Sequence, residues 1–542
     1  MSREQVFWGW GEPGAGPEAP ARLEGLLREA LGVSGEVVSR PVALEDVRLR
    51  EPVLDGSLRR SLAEIVGEEG VRDDREARVL RCRGKSYLDL LAQRAGDCEA
   101  APDAVVAPAN REQVRAVLQA CNQAGVAVVP FGGGTSVVGG LEPLRAGFET
   151  AVSLDLGRMD RLVGVDERSL TAVLEPGLRL PEADHALAAH GLTLAHVPQS
   201  YEWASVGGCV ATRSAGQSST GHGRIDANVV AVELTAPVAD LETLEAPGTA
   251  AGPSLRELVV GSEGTLGAIT RVALRVRPVP AARRYEGWFF RSFADGCEGL
   301  RRLEQAGAAP DVARLSDEAE TATSLALAHQ GAARRAGMAA LRARGYGSPC
   351  LLVTGWEGAR HEITARRRRA ARILRPAGAA PLGRGPGKAW AAARFAGPHT
   401  RDVLLDRGML VETLETATTW SGLERLHGAV LDALTGALGQ SLAGCHVSHL
   451  YPTGASLYFT VLAAQDRDDP VGQWRAAKTA ATDAIVAAGG TITHHHAVGR
   501  DHAPWLRAEA GETGVDLLRA VKERCDPAGI MNPGKLIVPA SG

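Results

Sequence analysis

Three consecutive histidines, His494 to His496, stand between a β-like stretch and a helix-like one. These residues could bind a metal, transfer protons, or pack against neighbouring side chains. Imidazole has a pKa of about 6.5, which suits proton transfer at neutral pH. A zinc site needs a further ligand; His502 is a candidate, but no cysteine or acidic cluster accompanies it. We therefore predict no metal and favour proton transfer. If the run is a strand, His494 and His496 share one face, and His495 takes the other.

Two arginines and a tyrosine are the next candidates for chemistry. Arg401 carries a planar guanidinium that can bind two phosphate oxygens at once, although most such arginines are surface charges, and the same holds for Arg314. Tyr458 lies in an alternating, strand-like stretch, where half-buried packing is the ordinary role. As an acid or base, it would need its pKa of about 10 lowered by nearby cations or a cofactor.

A glycine loop, PFGGGTSVVGG, follows the apolar run VAVVPF. Glycines permit positive φ angles and close approach, so successive N–H groups can converge on phosphate oxygens. A dinucleotide G-x-G-x-x-G register from Gly132 meets Val137 at its third glycine, and GPGKA lacks the hydroxyl of a P-loop. Two similar loops follow, SYEWASVGGCVATRSAGQ and VGSEGTLGAIT. Three such loops predict a long nucleotide cofactor that is contacted along its length.

The motifs PFGGGTS, SVGG with TRSAG, and GSEGTLG together resemble the FAD-binding domain of vanillyl-alcohol oxidase-type (PCMH-type) flavoproteins. The resemblance implies FAD, and the GGGTS loop holds no histidine for covalent attachment, so we expect noncovalent binding. The implied cofactor residues are Pro130, Gly132, Gly133, Gly134, Thr135 and Ser136 at the pyrophosphate; Pro198, Ser200, Ser205, Gly207, Gly208, Thr212 and Ser214 along the flavin; and Glu263, Gly264, Thr265, Gly267 and Ile269 completing the cradle.

Other segments resemble the alkyl-dihydroxyacetonephosphate synthase family of ether-lipid enzymes. They are WGWG near the start, ARLSD around Arg314, HTRDVLLDRGMLVETLET around Arg401, SLYF around Tyr458, and the histidine run followed by VGR and PWL. The resemblance implies exchange of the acyl group of acyl-dihydroxyacetone phosphate for a fatty alcohol through an adduct at flavin N5. Arg401 would bind the phosphate, Tyr458 and the histidines would move protons, and Arg314 would shape the site. Ala497 stands where this family usually has glycine.

Two other functions remain open. The tail sequence MNPGKL is common in FAD-dependent oxidases and dehydrogenases, which oxidise a 2-hydroxy acid such as D-lactate or glycolate, or another alcohol, by hydride transfer to flavin N5. The third hypothesis is a noncatalytic flavin- or lipid-binding protein, which no feature of the sequence favours.

The elements that must position these residues follow an α/β pattern. A chain of 542 residues exceeds one ordinary core. From residue 101 strands and helices alternate; Val114, Val117, Leu118 and Cys121 recur at helical spacing, and Gly125 follows as a stop. The predicted fold class is α+β (α/β), with a two-part FAD-binding domain and an α/β cap. We predict a mostly helical segment over 1–100, the FAD domain over 101–280, the cap over 281–500, and a C-terminal segment, 501–542, returning to the FAD domain.

Composition excludes several classes of protein. The net charge of −4 offers no field for nucleic acid. Eight scattered cysteines without a C-x-x-C pair argue against a zinc ribbon or disulfide framework. We find no signal peptide and no apolar run of about 20 residues, which predicts a cytoplasmic protein with a small-molecule or lipid substrate. The basic stretch HEITARRRRAARILR favours a solvated helix face, with peripheral membrane contact as the alternative. The alanine, glycine and arginine bias suggests a bacterial source, and a homodimer is left open.

Overall fold

The computed structural model describes residues 4–14, 21–328 and 331–537. Its helices are α1 (Leu23–Leu31), α2 (Gly56–Val66), α3 (Arg75–Leu80), α4 (Tyr87–Arg94), α5 (Arg111–Ala124), α6 (Leu180–Ala188), α7 (Val206–Ala211), α8 (Ser219–His222), α9 (Ile225–Asn228), α10 (Arg256–Val259), α11 (Phe293–Gln305), α12 (Glu318–Leu327), α13 (Ala332–Ala343), α14 (Arg360–Leu374), α15 (Gly385–Ala393), α16 (Gly397–Asp406), α17 (Leu423–Leu438), α18 (Pro470–Ala487) and α19 (Leu506–Cys525).

Its strands are β1 (Val71–Arg72), β2 (Ala104–Val106), β3 (Ala127–Phe131), β4 (Ala151–Asp155), β5 (Leu162–Asp166), β6 (Thr171–Leu174), β7 (Leu192–Thr193), β8 (Val229–Thr235), β9 (Leu241–Glu242), β10 (Ala268–Arg275), β11 (Arg277–Pro278), β12 (Ala282–Phe290), β13 (Val312–Ser316), β14 (Cys350–Gly358), β15 (Ala380–Gly383), β16 (Met409–Thr419), β17 (Ser441–Tyr451) and β18 (Gly454–Ala464).

The first sheet, in the order β1-β2-β4-β3, carries the glycine loop. Strands β2 and β3 both run parallel to β4, which places their C-terminal ends at one edge of the sheet. Helix α5 packs here through the apolar residues predicted from its spacing, and Gly125 ends it in the left-handed conformation. The glycine loop therefore leaves a buried strand at an edge where parallel strands end together, as the strand-helix-strand pattern predicts.

The second sheet has the order β5-β6-β10-β8-β9 and is antiparallel. Strand β10 lies at its centre, between β6 and β8, and the third predicted loop leads directly into it. Helix α7 belongs to the second predicted loop and packs in the same core through Val206 and Val210. Two of the three loops are thus anchored to this sheet.

The third sheet has seven antiparallel strands in the order β15-β12-β14-β13-β17-β18-β16. Helices α11, α14, α17 and α18 contribute side chains to the core that covers it. Its register places Glu415 of β16 opposite Tyr458 of β18, and Tyr458 opposite His446 of β17. Directly opposed residues point to the same face of a sheet, so these three polar side chains form one row.

The C-terminal residues pack against the first sheet. The backbone of Val128 in β3 donates to Ile530 O at 2.8 Å and accepts from Asn532 N at 2.8 Å. Buried Asp526 fixes this segment by accepting from the backbone of Ile530 and Met531 and from Lys522 Nζ. The chain end is thereby joined to the strand that precedes the glycine loop.

Disulfide bonds and membrane-spanning helices are absent from the part of the chain that the structure describes. All eight cysteines fall within it and are free and buried. None of its helices has the length and apolar character required to cross a bilayer.

Candidate active site

The three predicted loops meet each other. A Cβ atom on Gly133 would lie 2.0 Å from the carbonyl oxygen of Trp203, and one on Gly132 would lie 2.3 Å from Ser205 Oγ. A Cβ on Gly264 would lie 2.9 Å from Pro130 Cγ. The second and third loops therefore both pack on the first, at distances that only glycine allows.

The backbone of the first loop leaves its donors available. The carbonyl of Gly133 accepts from Gln5 Nε2 at 2.9 Å, and that of Ser136 accepts from Lys85 N at 2.6 Å. Within the described ranges, the N–H groups of Gly132 to Ser136 donate to no other part of the chain. A cavity of about 630 Å³ adjoins Gly132 to Gly134, with Lys85 and Arg158 in its lining. Free backbone N–H groups beside a cavity fit the pyrophosphate of a dinucleotide cofactor.

Several predicted cofactor residues use their side chains inside the loops. Ser205 Oγ accepts from Gly208 N, Thr212 Oγ1 donates to Gly208 O, Ser214 Oγ hydrogen-bonds to His196, and Thr265 Oγ1 donates to Ser262 O. The carbonyl of Pro198 accepts from Tyr201 N, that of Ser200 accepts from Trp203 N, and Gly207 N donates to Pro176 O. Gly267 and Ile269 are buried at the start of β10. These hydrogen bonds stabilise the loops. Contact with FAD is therefore left to backbone groups and to the side-chain surface that these bonds do not use.

Glu263 has a role that the sequence did not indicate. Its carboxylate accepts from the backbone N–H groups of Val498 at 2.8 Å and Gly499 at 2.7 Å. Burial raises the pKa of Glu263 to about 7, against the effect of these hydrogen bonds. The backbone of Glu263 has a φ of 53°, which lies in the left-handed region. Glu263 thus connects the third cofactor loop to the segment that follows the histidine run.

The histidine run is a loop, so its prediction as a strand with alternating faces is wrong. Residues 491–500 contain no helix or strand. The buried carboxylate of Glu415 accepts hydrogen bonds from the N–H groups of His494, His495 and His496, and from Thr493 Oγ1 at 2.6 Å. One carboxylate bonds to three successive N–H groups only if the backbone curls around it, which a strand cannot do.

Glu415 carries its charge in spite of its burial. Burial alone would raise its pKa, but hydrogen bonds from the hydroxyl of Thr493 and from three backbone N–H groups favour the charged form and hold the pKa well below its ordinary value. The histidines themselves are neutral, because burial lowers the pKa of His494 to about 3 and that of His495 to about 4. The expected titration near neutral pH is therefore wrong for these two residues, and they can pass protons only as neutral imidazoles.

Two further residues join the run. Tyr451 Oη lies 2.6 Å from His494 Nε2, and His494 Nδ1 lies 2.9 Å from His495 Nδ1. His449 stacks on His494 with ring centroids 5.2 Å apart. Ring nitrogens of His449, His494 and His495 lie within 4.8 Å of one another, a spacing that could hold a metal ion. Both nitrogens of His494 have protein partners, whereas His449 Nδ1 is buried without a hydrogen-bond partner among the described residues.

His502 stands apart from this cluster. Its Nδ1 hydrogen-bonds to Ala497 O at 2.8 Å, so it supports the loop backbone. The absence of metal stays a prediction.

Tyr458 lies at the centre of the row formed by Glu415, Tyr458 and His446. It stacks on His446 with centroids 5.0 Å apart and contacts the rings of His495 and His496. Burial raises its pKa to about 12, and the nearby charge of Arg401 opposes this only partly. The protein side chains therefore do not supply the lowering of the pKa that an acid or base would need, and Tyr458 is a neutral phenol that can donate a hydrogen bond.

Arg314 reaches Tyr458 through His446. Its Nη2 donates to Glu320 Oε1 at 2.8 Å and lies 3.1 Å from His446 Nδ1. Burial, more than the Arg314 charge, lowers the pKa of His446. Glu320 Oε1 also lies 2.9 Å from His446 Nδ1, so one carboxylate holds both Arg314 and the imidazole that stacks on Tyr458.

Arg401 lies in α16, beside the N-terminal WGWG segment. Its Nη1 donates to Lys85 O at 2.8 Å, whereas its Nε and Nη2 are buried and have no hydrogen-bond partner among the described residues; Asp402 Oδ1 lies 3.7 Å from Nε. Asp402 accepts from Trp10 N at 2.6 Å, and Lys85 Nζ donates to the carbonyls of Val6 and Phe7. The segment therefore fixes both neighbours of a guanidinium that still has two donors available.

Sequence reasoning missed Glu415, Tyr451 and Lys85 and left His446 and His449 unassigned. A usable signal existed for Glu415, since it interrupts the apolar strand MLVETLET and a charge in a buried strand needs partners. The histidines at 446 and 449 lie in β17 with Tyr451. Their contacts with the run come from chain segments more than 40 residues apart, which sequence spacing cannot show.

The chain matches two family models. Residues 102–245 match the FAD binding domain, and residues 279–536 match the C-terminal domain of FAD linked oxidases. FAD is therefore the cofactor, as the glycine loops predicted.

An alkyldihydroxyacetonephosphate synthase from Dictyostelium discoideum is 32% identical over 534 residues, covering 95% of this chain and 87% of the relative. The chain belongs to the alkyldihydroxyacetonephosphate synthase family.

A solved alkyldihydroxyacetonephosphate synthase structure superimposes with a TM-score of 0.84 at 28% identity, and 98% of each chain is covered. The fold is the two-domain vanillyl-alcohol oxidase (PCMH) type, which p-cresol methylhydroxylase shares at a TM-score of 0.67, 16% identity, and coverage of 89% of this chain and 96% of that one. The predicted family and fold class are thus confirmed. The bacterial source inferred from composition is not supported by the Dictyostelium relative.

Replacing Glu415 by glutamine should collapse the histidine loop. A neutral amide has one oxygen for three N–H groups, and its own NH₂ would face those donors. We expect a loss of about 3 kcal/mol in the free energy of unfolding, measured by urea denaturation. Glu424→Gln, at an exposed position of α17, is the matched control. An equal, small effect of both changes would contradict the role of Glu415.

Ala497 stands where the family usually has glycine, and its backbone conformation is one that glycine adopts more readily. Its φ of 78° lies in the left-handed region, where a Cβ atom is strained and glycine is not. Ala497→Gly should therefore stabilise the protein by about 1 kcal/mol, observed as a higher denaturation midpoint. Ala488→Gly, at the right-handed C-cap of α18, should destabilise it instead. Destabilisation by Ala497→Gly would show that the strain is absent.

Proposed function

We propose that this chain exchanges the acyl group of an acyl-dihydroxyacetone phosphate for a fatty alcohol and so forms an ether. The observation that carries the proposal is the state of Arg401. Two nitrogens of its guanidinium, Nε and Nη2, are buried without a hydrogen bond, and the nearest carboxylate oxygen, Asp402 Oδ1, lies 3.7 Å from Nε, so donors are left for a second anion. A substrate phosphate would supply two oxygens in the geometry that the guanidinium fork requires.

Arg401 lies near the residues that would act on the substrate. Its charge and the Tyr458 phenol influence each other's pKa, and Tyr458 contacts the rings of His495 and His496. A substrate whose phosphate is bound by Arg401 would bring its first carbon toward this aromatic group. Arg401 would thus bind one end of the molecule while Tyr458 and the histidines face the other.

The exchange requires proton transfers at that carbon. A proton leaves C1 and later returns, the acyl group departs as a fatty acid, and the alcohol oxygen bonds to C1 as its proton passes to the departing carboxylate. A neutral Tyr458 can donate to an oxygen that gains negative charge, and neutral histidines can accept a proton at a free ring nitrogen. Arg314 would hold His446, and with it the ring of Tyr458, in place.

The FAD assignment of individual residues is part of the proposal. The N–H groups of Gly132, Gly133, Gly134, Thr135 and Ser136 would bind the pyrophosphate noncovalently, with the second and third loops along the rest of the cofactor. When bound, FAD supplies a ring nitrogen that can bond to carbon and a ring system that can accept electrons. Tyr458, His494, His495 and His496 would be the catalytic side chains.

The domain boundaries, the cellular location, the membrane contact and the oligomeric state are also parts of the proposal. We infer four parts: 1–100, 101–280, 281–500 and 501–542. We also infer a cytoplasmic protein. Helix α14 exposes Arg368 and Arg372, and Arg375 is exposed at its C-terminal end, which supports peripheral contact with an anionic membrane. Homodimer formation remains a prediction that size-exclusion chromatography with light scattering would test.

The decisive experiment omits electron acceptors. The purified yellow protein is mixed anaerobically with palmitoyl-dihydroxyacetone phosphate and labelled hexadecanol, and ether product is followed by mass spectrometry. We expect ether formation with no lasting loss of the oxidised flavin spectrum. Lasting bleaching by D-lactate or glycolate, without ether formation, would instead establish a hydroxy-acid dehydrogenase.

Substitution of Arg401 by lysine should weaken substrate use. Lysine keeps the charge but loses the planar fork, so kcat/KM for the phosphate substrate should fall about 100-fold. The flavin spectrum should stay unchanged. Arg467→Lys, at an exposed position between β18 and α18, serves as the control. Equal kcat/KM in both variants would exclude phosphate binding by Arg401.

Tyr458→Phe removes only a hydroxyl from the packed row. Because loss of a positioned proton donor slows catalysis by about 100-fold or more, turnover should nearly cease while FAD stays bound. The measurements are ether formation and the flavin absorbance per protein. Tyr346→Phe, which loses a buried hydroxyl bonded to Gly378 O, is the control. Full activity of Tyr458→Phe would remove this residue from the mechanism.

A further inference from the structure

The side chains of Tyr451, His494 and His495 form a continuous hydrogen-bonded chain, with contacts of 2.6 Å and 2.9 Å. We propose that this chain is a proton relay between the active site and the exposed turn that joins β17 to β18. The inference rests on the proposed function, because it serves a reaction in which a substrate carbon loses and regains a proton.

The inner end of the relay is His495. Its ring stacks on Tyr458 with centroids 6.1 Å apart. Its Nδ1 contacts His494, whereas its Nε2 makes no hydrogen bond to the protein within the described ranges. The free nitrogen is therefore the atom that can take a proton from a substrate bound beside Tyr458.

The outer end of the relay is Tyr451, the last residue of β17. It is half-buried, and the next two residues, Pro452 and Thr453, are exposed. Its ring meets that of His494 edge-on, which directs its hydroxyl to His494 Nε2. Because Tyr451 is only half-buried, part of this residue is open to water, which gives the relay its outer end.

Two arrangements of the same protons satisfy these contacts. In the first, His495 Nδ1–H donates to His494 Nδ1, His494 Nε2–H donates to Tyr451 Oη, and the tyrosine proton points outward. In the second, every bond is reversed: Tyr451 donates to His494, His494 donates to His495, and the proton of His495 is on Nε2. Each neutral imidazole carries one ring proton in both arrangements.

The change from the first arrangement to the second carries one proton outward. His495 Nε2 accepts a proton from the substrate, each N–H or O–H bond of the chain passes to its neighbour, and Tyr451 releases its original proton to water. The reverse change returns one proton to the site. Protons balance in both directions, and no histidine is left charged at the end.

The surroundings favour the first arrangement as the starting state. Glu415 Oε2 lies 3.4 Å from His495 Nδ1, so its negative charge attracts a proton to that nitrogen and leaves Nε2 free to accept. Arg224 Nη1 donates to the backbone carbonyl of His494, and Arg224 is itself paired with Asp226. These contacts fix the backbone and the starting tautomer of the relay.

The test removes the outer hydroxyl alone. Tyr451→Phe keeps the ring against His494 but gives its Nε2 no partner through which to exchange protons with water. Ether formation is measured for the wild type, Tyr451→Phe and Tyr346→Phe in weakly buffered solution, without and with added imidazole as a small proton carrier. We expect Tyr451→Phe to be slower by about ten-fold or more, with imidazole restoring much of the rate.

Imidazole should leave the wild type and Tyr346→Phe unchanged. A normal rate for Tyr451→Phe would overturn the relay. So would a loss that imidazole does not restore, because that result assigns Tyr451 a packing role. Stoichiometric zinc in the purified wild type, lost in His449→Ala, would overturn it in favour of a metal site. Absence of ether formation by the wild type would refute the proposed function itself, a result separate from any difference between the variants.

Discussion

The buried carboxylate of Glu415 determines how the active site is built. It lies on β16, an edge strand of the seven-stranded sheet, at a position opposite Tyr458 that is buried from water. A charge in that position must find donors within the protein, and it finds them in three successive backbone N–H groups of the histidine run. The curled loop, the ring positions of the histidines and their contact with Tyr458 all follow from this requirement.

A second carboxylate that accepts from successive backbone N–H groups, that of Glu263, lies on the cofactor side. By accepting from Val498 and Gly499 it ties the end of the histidine loop to the third glycine-containing loop. Asn532 adds hydrogen bonds from the C-terminal segment to Gly140 O and Glu263 O. The proposed proton-handling groups and the FAD loops are therefore parts of one network, and a shift in either would disturb the other.

Backbone and side-chain hydrogen-bonding groups are used differently on the cofactor side and on the substrate side of the site. On the cofactor side, side-chain hydroxyls stabilise the loops, and free backbone N–H groups are left for the anion. On the substrate side, backbone N–H groups are used by Glu415, and side chains are left for chemistry. Arg401 keeps two donors without a hydrogen-bond partner among the described residues, at a position that α16 and the WGWG segment fix.

The sequence by itself determined the cofactor, the family and the order of elements in the FAD-binding half. Those features depend on local patterns: consecutive glycines after an apolar strand, and helical spacing in α5. It also determined that Arg401, Tyr458 and the histidines belong together, through resemblance. Only the tertiary structure decided that the histidine run is a loop, that its imidazoles are neutral, that Tyr458 has a raised pKa, and that Tyr451 and Glu415 belong to the site. Those properties arise from burial and from contacts between strands far apart in the chain, and neither is encoded in the spacing of neighbouring residues.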